Sequence, residues 1–466
     1  MSAFGLASGR LAGMAQEGGQ NPIEPIAPEL TEALLARLRG RLNVIQPEAE
    51  RTRLVAEALD ALAERDDALR TRLNDPKRCQ ALIRGFLSYG IVEEFLDDPL
   101  VEDIMINATG PIFVHRAGEG LVKTKRRFET ERELSAFVDK LLVFGGRAEL
   151  AVINDIELAN LRGRVNITLS PFGPQITITH ARPRPFTILQ LIEHGTLSYG
   201  LAAQLWVYVE GLRVRPGNLI IAGGPGAGKT TMLNAILSFI PGNDRLVVIE
   251  DTLELNTEFL ENCSRLESTP AVSTADLVKN SLRMRPDRIL VGEVRGLEAR
   301  DLMTAMNLGK YCMGTLHASF ARETVLRLEN EPMNVPSVLI NLVDAFVILR
   351  KLNVHGELRR VVGEVVETAG MEKDMVLLSP VWTFDHLRGH VVEVSPSSIF
   401  RDKLAAESGR SAAEIMQETA RRAEVLRIMH DSGAFTDIPA VTSFCQRYSE
   451  NAEEALNEAK SLRKKR

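Results

Sequence analysis

Gly223-Gly224-Pro225-Gly226-Ala227-Gly228-Lys229-Thr230 is the stretch whose reading decides the fold. It has the form G-x-x-x-x-G-K-T of a phosphate-binding loop. A glycine-rich turn without chemical meaning is the plain alternative, and the flanks weigh against it. Residues 218–222 read as a short buried strand, and residues 231–237 read as a helix. Glycines let the backbone curl without Cβ clashes, so successive N–H groups can point at one anion. The helix N-terminus adds its positive dipole end. The loop, Gly223 to Thr230 with Thr231 behind it, is therefore expected to hold a nucleoside triphosphate, ATP. Lys229 should reach the β- and γ-phosphates, and the Thr230 hydroxyl should ligate Mg²⁺.

Outward from the loop, strands and helices alternate from about 186 to 360. Residues 218–222, 245–250, 288–292, 313–317 and 345–349 read as strands, with helical patterns between them. That alternation predicts an α/β core with a mostly parallel sheet and helices on both faces. In such sheets the ligand lies at the C-terminal ends of the strands.

Chemistry-bearing residues fall at those ends. The strand before Glu250-Asp251-Thr252-Leu253-Glu254 delivers three carboxylates. An acidic strand end taken alone reads as a helix cap. One βα unit after a phosphate loop, it reads as a station that orients the attacking water and holds the Mg²⁺ shell. The next strand ends in Gly292-Glu293, which is the Walker B position with Glu where Asp is more usual. Gly292 is expected to let the backbone pass close to the nucleotide. Arg283, Arg285, Arg288, Arg295 and Arg300 surround this region, as transition-state cations or as ordinary ion pairs. His317 follows a short apolar strand, either as a packed histidine or as a sensor of the γ-phosphate.

The remaining chain reads more blandly. Of 466 residues, 45% are apolar and 25% charged, enough for two to four domains with real cores. A net charge of −6 offers no global field for nucleic acid, so none is expected as partner. No apolar run approaches a membrane span, no signal peptide is evident, and four scattered cysteines suit a reducing cytoplasm without a zinc site. Residues 1–28 read as a flexible leader, and 29–89 as a bundle of three helices. Residues 90–185 read as an α+β domain ending in the stiff Arg182-Pro183-Arg184-Pro185 linker. Residues 361–466 read as strands followed by helices. In that last region Ser411 and Glu414 form a capping box ahead of a helix whose apolar face would carry Met416, Ala420, Ala423 and Leu426.

The order GGPGAGKTT, IEDTLEL, LRMRPDRILVGEVRGLEA and GKYCMGTLHASFARETVLRLE resembles the secretion ATPases of type II and type IV systems. The resemblance covers about 90 to 370. Within that group, Thr196-Leu197-Ser198, the segment from Asn234 to Pro241 and Pro332-Met333-Asn334-Val335-Pro336 are most similar to archaeal-flagellum motors and Tad/Flp-pilus assembly ATPases. The resemblance implies a RecA-like core behind a smaller α+β domain, working as a homohexamer. It implies a cytoplasmic protein at the inner face of the membrane, reaching that membrane through a platform-protein partner. It implies Glu250 as catalytic base with Glu254 second, Lys229 and Glu293 in catalysis, and Thr230, Glu254 and Glu293 around Mg²⁺. His317 would be the retained His-box residue, and Arg164 and Arg182 cations that reach a neighbour's nucleotide. Two departures stand out: Lys310 replaces the first His of the His box, and Thr179-His180 stands where an Arg is common. Two other readings compete: a RecA-like DNA-conjugation motor, and a structural ring that binds nucleotide with little turnover.

Overall fold

In a computed structural model of the chain, the described residues are 26–464 except 117–118, 148, 159–162, 181–184, 270 and 355. The leader up to residue 25, the 181–184 stretch with Arg182 and Arg184, and the last two basic residues lie outside them. The chain forms two compact units, divided at Pro183 and Arg184.

In the first unit, helices α1 (Pro28–Leu38), α2 (Glu48–Ala63), α3 (Asp67–Leu73) and α4 (Pro76–Leu87) precede the sheet. There are four helices here rather than three. The carboxylate of Asp66 accepts the Leu69 N–H and starts a new helix inside what reads as one leucine stripe. Six strands follow: β1 (Val101–Asn107), β2 (Phe113–Arg116), β3 (Gly120–Lys123), β4 (Ile153–Leu158), β5 (Gly163–Ser170) and β6 (Gly173–His180). They pair antiparallel in the order β3-β2-β1-β6-β5-β4, with helix α5 (Glu131–Phe144) packed against them. Strand β4 escapes a pattern reading because it is an edge strand with interior polar residues and an exposed Ile153. Leu34, Leu59 and Phe86 of the bundle share one core with Ile104, Leu141 and Ile178 of the α+β fold. Residues 29–89 and 90–180 are thus one packed body.

The second unit is built on a nine-stranded sheet. Helices α6 (Ile188–Glu193) and α7 (Tyr199–Glu210) lead into strand β7 (Leu219–Gly223), and α8 (Lys229–Ile236) follows the loop. Then come β8 (Leu246–Glu250), β9 (Cys263–Glu267), α9 (Thr274–Ser281), β10 (Arg288–Val291), α10 (Glu298–Asn307), β11 (Tyr311–Leu316), α11 (Ala321–Glu329), α12 (Ser337–Ile340) and β12 (Ala345–Val354). Strands β12, β7, β11, β10, β8 and β9 lie side by side and parallel, in that order. Every residue of β7 and β8 is buried, which explains their unbroken apolar character. One face packs on α7 and α8, and the other on α9, α10 and α11.

The C-terminal region continues this unit. Strands β13 (Glu357–Glu372), β14 (Met375–Asp385) and β15 (His390–Glu393) extend the sheet antiparallel from β12. Helices α13 (Ile399–Ser408), α14 (Ala412–Ser432), α15 (Ile438–Glu450) and α16 (Ala452–Lys464) share the core of α7, where Trp206 stacks on Phe239 and meets Tyr448. The Ser411–Glu414 capping box forms. The apolar face of α14 is rotated from the expected one: Met416 and Ala420 are exposed, whereas Ile415, Arg422, Val425, Leu426 and Met429 are buried. The cause is Arg422. It pairs with Glu210 and Glu418 and lies over the Trp206 ring, so a cation occupies a core position.

Candidate functional site

Strand β7 hands the chain to the phosphate loop at the C-terminal end of the sheet, and α8 starts at Lys229. Gly226 and Gly228 have φ of +66° and +94°, a backbone region that L side chains rarely adopt. A Cβ on Gly224 or Gly226 would meet nothing within 4 Å, so the outer wall of the loop is open to a ligand. Lys229 Nζ lies 3.1 Å from the carbonyl of Gly223, 3.3 Å from that of Gly224 and 3.2 Å from His317 Nδ1. Burial lowers the Lys229 pKa, against the pull of Glu293 and Glu254.

The neighbouring strand ends supply the other groups. His317, just after β11, has its Nε2 2.8 Å from Glu293 Oε1, which is ion-pair distance without hydrogen-bond alignment. Burial, and then the charge of Lys229, lower the His317 pKa, against the pull of Glu293. Glu293, two residues after β10, also meets Arg295, which lies 3.2 Å from Asp251. Burial pushes the Glu293 carboxyl up, but Arg295, His317 and Lys229 outweigh it and leave it below the ordinary range. Glu293 Oε1 is a buried oxygen without a hydrogen-bond donor.

The two glutamates after β8 differ. Glu254 is exposed, and its Oε2 accepts the Thr230 hydroxyl at 3.2 Å. Glu250 is 2% exposed, and its Oε1 accepts the N–H groups of Glu254 and Leu255 at 3.0 Å each. Its Oε2 faces Arg265 at 3.5 Å. Burial raises its pKa to about 7. A Cβ on Gly292 would stand 2.9 Å from Glu250 Cγ. Glu250 therefore lies against Gly292, where a larger residue would meet its side chain.

These residues fit a Mg²⁺–nucleoside triphosphate. The Thr230 hydroxyl, Glu254 and the orphaned Glu293 oxygen are hard oxygen donors suited to Mg²⁺ and its retained waters. Among the described residues no group of three His, Cys, Asp or Glu could hold a metal ion alone. Phosphate and water would complete the shell.

Other expected residues fall elsewhere. Arg288 is at the opposite end of the sheet, buried and bonded to Asp244 at 2.6 Å and to the Val209 carbonyl. Lys310 also lies at that end, just before β11. Arg164 is on β5 of the first unit, 3.5 Å from Asp155. Arg182 is outside the described residues. One residue that the sequence did not single out does reach the loop. Arg360 Nε, on β13, donates to the Gly226 carbonyl at 2.8 Å. Its only signal in the sequence is the Arg359-Arg360 pair near the start of β13.

A phosphate loop after a central parallel strand, with carboxylates and a histidine closing the neighbouring strand ends, defines a RecA-like P-loop fold. Residues 87–372 match the family described as "Type II/IV secretion system protein", and the chain belongs to that family. An uncharacterized protein of Methanocaldococcus jannaschii is 32% identical over 75% of this chain; the chain spans 65% of that relative's length. The conjugal transfer protein TrbB of Rhizobium radiobacter is 33% identical over 59% of this chain and 86% of its own length. Among solved structures, the Legionella pneumophila ATPase DotB aligns over 71% of this chain and 86% of its own, at 21% identity and a TM-score of 0.45. No helix among the described residues is long and apolar enough to cross a membrane.

Proposed function

We propose that the chain is a Mg²⁺-dependent ATPase that works as a homohexameric motor in a Tad/Flp-like pilus or a type II/IV secretion machine. It acts from the cytoplasmic side through an inner-membrane platform protein. The observation that carries this reading is the convergence of Lys229, Thr230, Glu254, Glu293 and His317 at the ends of four neighbouring parallel strands. Hydrolysis by such sites is mostly positioning and charge neutralisation. Mg²⁺–ATP supplies the transferable phosphoryl group and the metal's charge.

The chain's own residues divide that work. Lys229 turns its ammonium from the loop carbonyls to phosphate oxygens. Thr230 and Glu293 hold the metal side. Glu254, exposed beside Thr230, orients the attacking water. This role moves from Glu250, which the sequence favoured: Glu250 is turned inward and fixes the 251–255 turn through two backbone N–H groups. His317, between Lys229 and Glu293, couples the two and so registers the γ-phosphate. Arg164 and Arg182 of the first unit are candidates for a neighbour's nucleotide.

The test is ATP turnover of the purified chain across a concentration series, with its mass in solution measured alongside. Turnover that rises as a hexamer assembles, and that ignores added DNA, is expected. The similarity to a conjugal transfer protein gives DNA stimulation a specific standing as the rival outcome. Stimulation with a steep salt dependence would point to a nucleic-acid motor. A hexamer that binds ATP without turnover would point to a structural ring.

A further inference from the structure

The two flanks of the phosphate loop are built from different side chains. Glu254 and Glu293 stand with His317 on the side of β11, β10 and β8. On the other side β12 separates β7 from β13, and that flank carries arginine. Strand β12 pairs with β7 so that Leu349 lies opposite Gly223. Both β12 and β13 then run past the loop, with Lys351 opposite Arg360. From there Arg360 reaches back over the loop. Its Nε bonds the Gly226 carbonyl at 2.8 Å, and its Cδ lies 3.7 Å from where a Cβ on Gly228 would stand. The contact is made within one subunit and one sheet.

Direction along the loop follows from the metal side. Thr230, Glu254 and Glu293 fix where the Mg²⁺-bearing end of a polyphosphate lies. On that reading the α-phosphate and the nucleoside extend away from these groups, toward the flank where Arg360 meets Gly226 and Gly228. A guanidinium carries five N–H donors, so a bond to Gly226 and a contact to a phosphate oxygen are compatible.

We propose that Arg360 is a nucleotide-binding residue that contacts the α-phosphate end of a bound nucleoside 5′-di- or triphosphate. The proposal rests on the nucleotide-binding reading above. It separates two tasks at one loop. Lys229, His317 and the carboxylates face the γ-phosphate and respond to its loss. Arg360 faces a group that substrate and product share, so it grips ATP and ADP alike and sets how long ADP stays. Uniform binding of this kind raises affinity without raising the rate of the chemical step.

The experiment is equilibrium titration of the full chain with ATP and with ADP in Mg²⁺, together with steady-state turnover, for the unaltered protein, Arg360→Ala, Arg360→Lys and Arg359→Ala. For Arg360→Ala, both dissociation constants should rise about tenfold. Their ratio should stay unchanged, and KM should rise while kcat stays within about twofold. Arg360→Lys keeps the charge and much of the bulk, and should recover part of the loss for both nucleotides. Arg359, which bonds Glu357 at 3.1 Å, serves as the neighbouring control and should leave affinity unchanged when replaced. ADP affinity within about twofold of the unaltered chain in Arg360→Ala would overturn the proposal and reduce Arg360 to a strap on the loop. A loss confined to ATP would overturn it too, by moving Arg360 to the γ-phosphate. If the unaltered chain binds neither nucleotide, the proposed function falls as well, a result distinct from either of these.

Discussion

The two ends of the parallel sheet are both rich in charge, yet they are built differently. At the N-terminal end, Asp344 accepts from Arg215 at 3.1 Å, from Lys403 at 2.9 Å and from the Asn218 N–H at 3.0 Å. The Asn218 side chain then bridges the Cys312 N–H and the Leu342 carbonyl. Charges there are shared among partners that hold β7, β11 and β12 together. At the C-terminal end, Lys229 leans on carbonyls and a histidine, a Glu293 oxygen lacks a donor, and Glu254 accepts the Thr230 hydroxyl. Charged groups turned toward an open loop mark a place prepared for something else, whereas groups turned on one another between strands mark a joint.

The contrast predicts opposite consequences for two acidic substitutions. At the open end, Glu254→Gln should retain ATP binding through the loop, Lys229, Thr230 and Glu293, and lose about 10²- to 10⁴-fold in kcat, because it removes the water-orienting carboxylate. Single-turnover hydrolysis beside a binding titration checks this, and turnover within tenfold of the unaltered chain would return the role to another group. At the closed end, Asp344→Ala should leave kcat per folded subunit close to normal. It should cost about 3 kcal/mol of stability, since largely buried Arg215 would keep only the half-exposed Glu407 as a partner, and Lys403 and the Asn218 N–H would lose theirs. Urea unfolding with a parallel activity assay reads both effects. A stable Asp344→Ala chain with a lost kcat would break the distinction between the ends.

Much of this arrangement is legible in the sequence, for reasons that can be named. Strands β7, β8, β10 and β11 are buried on both faces, so they read as apolar runs, and the site residues follow them directly. The loop declares itself because only glycine tolerates its backbone at Gly226 and Gly228. The order of the two glutamates in Glu250-Asp251-Thr252-Leu253-Glu254 is not legible, since which one turns inward depends on Gly292 and Arg265, from other strands. Arg360 is hidden in the same way, being brought to the loop by a β12–β13 register. Edge strand β9 and the buried Arg422 break the polarity patterns that sequence reading uses.

Glu250 sharpens the comparison from inside the open end, because it is a carboxylate there with a joint's work. Burial raises its pKa from the ordinary 4.5 to about 7. The folded chain therefore holds this proton more tightly than the unfolded chain between about pH 4.5 and 7. Stability from this group is thus lost as pH rises through that window. Glu250→Gln keeps an acceptor for the N–H groups of Glu254 and Leu255 and has no proton to lose. Its urea midpoint should fall less between pH 5 and pH 7.5 than that of the unaltered chain, and its turnover should stay within about tenfold. An unchanged pH slope would show that Glu250 does not titrate there, and a collapse of turnover would restore it as the base.

The smallest effect is expected at Lys310. By resemblance it stands where a His-box histidine is common, which invites the reading of an impaired motor. Its place in the sheet argues otherwise. Lys310 precedes β11 and His317 follows it, so the six-residue strand holds them at opposite ends of the sheet, about 23 Å apart along an extended chain. The Lys310 N–H closes helix α10 on the Ala305 carbonyl, among the joints rather than at the loop. Lys310→Ala and Lys310→His should each leave ATP affinity and kcat per subunit within about twofold, measured below the concentration at which subunits assemble. A change under those conditions would mean that the closed end of the sheet communicates with the loop. A change that emerges only on assembly would place Lys310 at a contact between subunits, which is the one role its position leaves open.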